Sequence, residues 1–178
     1  MTDTAKNKKL LNPDFMMDHA RALLRVAHEM GRGNSSPASD RDFFSSYGHT
    51  IAVSILWSLA MEVALKAWRC REGKAPVRSH DLFRLFCGLE PATQKRLEEA
   101  VQPPHQREVL ELLRISALLE GTTDPGMADL YGLRDILRTY RKTFEEWRYR
   151  YEDPWGVFAT ARLTKVLTII IDEYSKPA

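Results

Sequence analysis

IAVSILWSLAMEVALKAW, Ile51 to Trp68, is the stretch on which the fold turns. Read at about 100° per residue it is apolar nearly all the way round. Val53, Trp57, Ala60 and Ala64 fall on one side, and Ile51, Ile55 and Leu59 on the other. Such a helix belongs in the middle of a fold, packed from several directions. Ser58, Glu62, Lys66 and Arg69 follow one another along it at helical spacing, and Glu62 falls between Ile51 and Ile55, where packing alone would place an aliphatic. A carboxylate and an ammonium inside an apolar stripe need partners, or burial drives them neutral.

Around this helix the chain of 178 residues has the length of one domain with a sizeable core. Its 44% hydrophobic and 28% charged residues are those of a soluble globular protein. Within the longest uncharged run, Phe43 to Met61, the part from Tyr47 to Met61 is short for a bilayer span, so no membrane segment is expected. Lys6, Lys8 and Lys9 are not followed by the apolar region of a signal peptide, which points to a cytoplasmic protein. Cys70 and Cys87, without metal-ligand spacing, read as reduced core thiols. Residues 1–89 carry 13 basic and 9 acidic side chains and residues 90–178 carry 13 and 15, so net charge does not announce a nucleic-acid binder. The local exception is Lys66 to Arg84, where Lys66, Arg69, Arg71, Lys74, Arg78 and Arg84 face only Glu72 and Asp81.

Residues 1–12 read as a frayed tail ahead of a single domain over 13–176. A first helix is expected from Asp14 to Met30, opened by Pro13 and stopped by Gly31, with Phe15, Ala22, Val26 and Met30 as its apolar stripe and Leu23 alongside. Arg32 to Asp40 is a polar Gly/Ser/Pro loop, expected to be mobile. Asp42 suits the cap of the central helix, with Gly73 as its stop. Ser79 then caps a short helix to Phe86 whose Leu82, Leu85, Phe86 and Leu89 face inward, with Asp81 in its first turn. Pro91 opens another short helix to Val101, and a further helix is expected from His105 to Leu119. After the loop Gly121 to Met127, the series Leu133, Leu137, Tyr140, Phe144, Trp147 and Tyr151 predicts one helix with an aromatic seam. Asp129 to Asp153 holds six basic and six acidic residues, which favours a solvated outer face. Asp153-Pro154 starts the last helix, with Ala159, Leu163, Val166, Ile170 and Tyr174 on one stripe. No segment alternates with period two. The chain is therefore expected to be all-α: an antiparallel, up-and-down bundle of four to five helices with extra short helices.

No phosphate loop, dinucleotide-binding glycine pattern, HExxH or GxSxG occurs, and the helices carry no ExxH motif of a di-iron bundle. Three stretches carry a resemblance: Met61-Glu62-Val63-Ala64-Leu65-Lys66-Ala67, then His80-Asp81-Leu82 with Leu85, then Trp147-Arg148-Tyr149-Arg150-Tyr151-Glu152. In that order, over about residues 42–175, the chain resembles the HEPN superfamily of helical domains. The resemblance implies a bundle that usually dimerises and needs no metal or cofactor. It implies either a metal-independent ribonuclease of toxin–antitoxin, abortive-infection or CRISPR-linked systems, or a non-catalytic RNA-binding or scaffold domain. A homodimer, RNA and a nucleotidyltransferase-type antitoxin are the implied partners.

Active members carry Arg-x4-6-His near the start of the last long helix, where His acts on the ribose 2′-OH and Arg stabilises the phosphorane. This chain departs from that pattern, because no His follows His105. Its one match in spacing, Arg21 to His28, lies in the first helix and carries no weight. A displaced site on His80, Arg148 and Arg150 would line a groove for an RNA phosphate. The competing reading is a structural network of Glu62, Lys66, Asp81, Tyr149 and Glu152, with His80 and Asp81 capping the short helix and Arg148 or Arg150 neutralising Glu62 or Glu152. Trp57, Trp68 and Trp147 sit at core spacings, and Trp155 suits an interface. The leading expectation is an RNA-associated or partner-binding module without the usual ribonuclease motif; the alternatives are an endoribonuclease with a non-standard site and a protein adaptor.

Overall fold

A computed structural model describes residues 12–32, 40–75, 77–102, 132–148 and 160–177, with backbone alone for 40–47, 146–148 and 160–161. The described residues are all-α: α1 (Pro13–Arg32), α2 (Asp40–Arg71), α3 (Leu82–Cys87), α4 (Pro91–Val101), α5 (Leu133–Thr139), α6 (Thr143–Arg148) and α7 (Thr160–Ser175). The expected tail over 1–11, the loop after Arg32, the helix from His105, the loop at Gly121 and the start at Asp153 lie outside the described residues, as do Trp155 and the side chain of Trp147.

The α2 helix, 32 residues long, is the core element the sequence requires. Ala60, Met61, Ala64, Leu65 and Ala67 are fully buried, and Trp68 nearly so. Its exit is set by Gly73, whose φ of 73° is a left-handed conformation that costs a side-chain-bearing residue about 1 kcal/mol. Its entry is Asp40, so Asp42 lies within the helix and is not its cap. The segment Gly48–Arg71, 24 residues whose most apolar 18-residue window has a mean hydropathy of 1.5, is long and apolar enough by length and composition to cross a membrane. Half of that segment's most apolar window is buried inside the fold, as in any central helix.

α1 lies antiparallel to α2: His49 near the start of α2 meets the Met30 carbonyl, and Met16 shares a cleft with Lys66, Arg69 and Cys70 near its end. Asn12, expected in the tail, caps α1, its Oδ1 accepting from Asp14 N–H at 2.9 Å and Phe15 N–H at 3.3 Å. The expected stripe on α1 is corrected. Met17, Ala20, Leu24 and Ala27 are buried, whereas Phe15 is 70% and Val26 45% exposed. Two stripes on α1 are apolar, and the buried one carries Ala20 and Ala27.

α7 ends beside the end of α2. Trp68 Nε1 donates to the Ile170 carbonyl at 3.1 Å, Arg71 to the Tyr174 carbonyl at 2.6 Å, and the Tyr174 hydroxyl to Asp14 Oδ1 at 3.0 Å. Leu163, Val166, Leu167, Ile170 and Tyr174 are buried, in line with the expected stripe. α4 joins the same end, with Arg96 donating to Glu173 Oε2 at 3.1 Å and to its carbonyl at 2.9 Å.

The expected single helix with an aromatic seam is two helices. A turn at Tyr140–Lys142 separates α5 from α6, because Arg141 turns its carbonyl outward to accept from Leu82 N–H at 3.0 Å, and the Thr143 hydroxyl donates to the Tyr140 carbonyl at 2.6 Å. α3 is capped by Asp81, not Ser79: Asp81 Oδ1 accepts from Arg84 N–H at 2.9 Å, while Ser79 Oγ accepts from Asp81 N–H at 3.2 Å. The inward face of α3, Leu82, Leu85 and Phe86, followed by Leu89, is buried as expected. The two thiols are not core residues, since Cys87 is exposed and Cys70 half-buried.

Candidate functional site

The polar cluster grows from Glu62. Helical register places it on the stripe of α2 that faces the 77–81 segment, and the residue is only 4% exposed. Burying a carboxylate costs several kcal/mol unless cations and hydrogen bonds replace its water. Among the described residues each of its oxygens has one partner: Lys66 Nζ lies 2.6 Å from Oε1 and His80 Nδ1 lies 2.8 Å from Oε2. Lys66, one turn on, supplies the local cation. His80 arrives across 18 residues, on an extended segment that the Asp81 cap and the Leu82–Arg141 backbone bond hold in place.

His80 is the accessible member. Its side chain is 48% exposed although its Nδ1 is held by a nearly buried carboxylate. One ring face is covered by Phe144, with ring centroids 5.1 Å apart and planes 24° from parallel. An ionised carboxylate can only accept, so Nδ1 carries a hydrogen and the neutral ring presents Nε2 as a lone pair. Among the described residues no hydrogen bond is made to Nε2. A carboxylate-oriented imidazole of this kind can donate to a phosphate oxygen when charged, or take a proton through Nε2 when neutral.

The structure thus brings three of the expected site residues together: Glu62, Lys66 and His80. Asp81 is not in the cluster, because its carboxylate is spent on the Arg84 N–H, and His80 is not a cap, because its ring reaches Glu62 instead. Among the described residues Glu62 pairs with Lys66 and His80. Arg148 ends α6, four residues after Phe144, which places its backbone one helical turn from the residue stacked on His80. The Arg148 side chain and Tyr149, Arg150 and Glu152 lie outside the described residues. Phe144 is the participant sequence reasoning assigned only to the seam; its spacing of four from Arg148 was the available signal.

The basic run after α2 does structural work. Arg69 Nε donates to the Ala75 carbonyl at 3.0 Å and Nη1 to the Gly88 carbonyl at 2.9 Å. Lys74 pairs with Glu72 at 3.2 Å and Glu90 at 2.7 Å, and both carboxylates raise its pKa against the desolvation that lowers it. Glu72 in turn accepts from Glu90 N–H at 3.0 Å. Together these bonds pin the connection between α2 and α4. Arg21 and His28, the chance match in spacing, do not act together: Arg21 bonds Asp18 and Ser175, and His28 packs edge-on against Trp57. Among the described residues no three His, Cys, Asp or Glu side chains converge as metal ligands do. No protein-family model, curated protein or solved structure matches the chain.

Proposed function

We propose that this chain is an RNA-associated, HEPN-like helical module whose contact point is His80. The observation that carries the reading is an imidazole half exposed at one edge and anchored at the other by the nearly buried Glu62. This histidine has its Nδ1 and one face fixed while nearly half of its side chain stays exposed to a ligand. The module is proposed to act in the cytoplasm as a homodimer, with an antitoxin-like nucleotidyltransferase as a candidate protein partner.

The second reading is a metal-independent endoribonuclease, favoured by the placement of Arg148 one turn beyond Phe144 on α6. His80 Nε2 would remove the 2′-OH proton, the 2′-oxygen would attack phosphorus, and the 5′-oxygen would leave with the returned proton. Arg148 would stabilise the charge gathering on the phosphorane oxygens.

His80→Asn tests both. Its side-chain amide keeps a donor for Glu62 and removes Nε2, so the melting temperature should stay near that of the wild type. Salt-sensitive RNA retardation should weaken at least several-fold. Unchanged binding by His80→Asn defeats the proposal. Cleavage in EDTA that disappears in His80→Asn selects the endoribonuclease. Absence of RNA binding at low salt, with a protein partner co-purifying, selects the adaptor reading.

A further inference from the structure

A second feature lies off the Glu62 cluster. A cleft of about 350 Å³ opens between the Val77 segment and the end of α3, lined by Arg69, Val77, Arg84, Leu85, Cys87 and Gly88. Two arginines line it, and among the described residues no acidic residue does. Arg69 is fixed at its base by the Ala75 and Gly88 carbonyls. A Cβ at Gly88 would fall 2.6 Å from Arg69 Nη1, so any side chain there would displace that guanidinium. The bonds use Nε and Nη1, and among the described residues Nη2 makes none. Arg84 is exposed, and among the described residues its side chain has no ion pair or hydrogen bond.

Among the described residues neither arginine forms an ion pair, and the nearest acids bond elsewhere. Glu72 and Glu90 are both held by Lys74, which also donates to the Gly88 carbonyl at 2.9 Å. The terminal carbonyls of α3 are occupied by backbone donors: Gly88 N–H bonds those of Arg84 and Leu85, and Leu89 N–H bonds that of Phe86. Two arginines share one concave site, and Arg69 is held in place by two backbone carbonyls. An anion with several oxygens relieves their repulsion and matches their planar donors, as phosphate does for paired arginines.

We propose that this cleft binds a phosphate group, supplied by an RNA backbone or by free phosphate. The proposal does not require His80 to contact RNA. Cys87 provides the readout, being exposed and part of the wall. Its alkylation by iodoacetamide, a neutral reagent, can be followed by peptide mass mapping with Cys70 as the internal reference. Ionic strength is held constant with chloride while inorganic phosphate or a single-stranded oligoribonucleotide is added to the full chain.

Either probe should slow Cys87 alkylation several-fold relative to Cys70. Arg84→Gln should abolish most of that protection with an unchanged melting temperature, and Arg84→Lys should retain part of it. Protection by inorganic phosphate marks a free-phosphate site; protection by the oligonucleotide alone marks a backbone site. No protection by either probe overturns the proposal. So does equal protection in Arg84→Gln, or equal loss in Lys95→Gln, a substitution on the outer face of α4 where the side chain is 77% exposed. RNA retardation that fails while phosphate still protects Cys87 defeats only the His80 reading.

Discussion

Glu62 is legible in the sequence as an anomaly, and its environment follows from electrostatics. A carboxylate 4% exposed on the central helix needs a cation, and Lys66 stands at i+4, where the periodicity puts it. The second partner, His80, could not be read from spacing, because it comes from an extended segment 18 residues away. Lys66→Met should therefore destabilise the protein by about 1–3 kcal/mol, less than a fully buried pair because Lys66 keeps 23% of its side chain in water. The double variant Glu62→Leu, Lys66→Met should recover part of that loss, since no uncompensated charge remains. Urea unfolding midpoints of the single and double variants measure the coupling. Equal destabilisation by the single and double variants would remove Glu62 as the cause.

At the scale of elements, boundaries that depend on local backbone chemistry were legible and those that depend on a neighbour were not. Gly73 stops α2 because its φ is 73°, and Pro91 opens α4. Gly73→Ala places a Cβ in open space, so its cost is backbone strain alone, about 1 kcal/mol, seen as a lower urea midpoint with an unchanged slope. The break between α5 and α6 carries no such local signal. Leu133 to Tyr151 keeps helical periodicity throughout, yet Arg141 gives its carbonyl to Leu82 and the helix ends. α1 fails for a related reason: its two apolar stripes are equivalent until α2 chooses the one with the smaller residues.

Across the whole molecule, the three helix ends meeting at Tyr174 form a clamp with a pH signature. Burial, then the hydrogen bond to Asp14, push the Tyr174 hydroxyl up to about 12 from its ordinary 10.0. A raised pKa means the protonated form is favoured in the fold, so its stabilisation is complete below about pH 10 and is lost as pH rises through 12. Tyr174→Phe should cost about 1 kcal/mol at neutral pH through the lost hydrogen bond, and should flatten the alkaline decline. Urea midpoints between pH 8 and 11.5 check it. Glu173 works in the opposite sense. Burial pushes its carboxyl up, but bonds from Lys176 and Arg96 outweigh that and hold it below 4.5. Its stabilisation is present above the unfolded value and lost as pH falls through the lowered one, and Glu173→Gln should remove that acid limb.

The amino-acid sequence alone determined the helical class, the central place of the helix through Ile51 to Trp68, buried over most of residues 60–68 and only half-buried at Ile51, Ile55 and Leu59, the inward faces of α3 and α7, and the need of Glu62 for a cation. Each follows from periodicity or from the desolvation of one group, which are properties of short stretches. Tertiary structure alone decided which stripe of α1 is buried, where the α5–α6 turn falls, that Asp81 caps while His80 pairs, and that Arg69 and Arg84 share one cleft. Those depend on which distant atoms arrive within hydrogen-bond reach, and spacing along a chain does not encode such meetings.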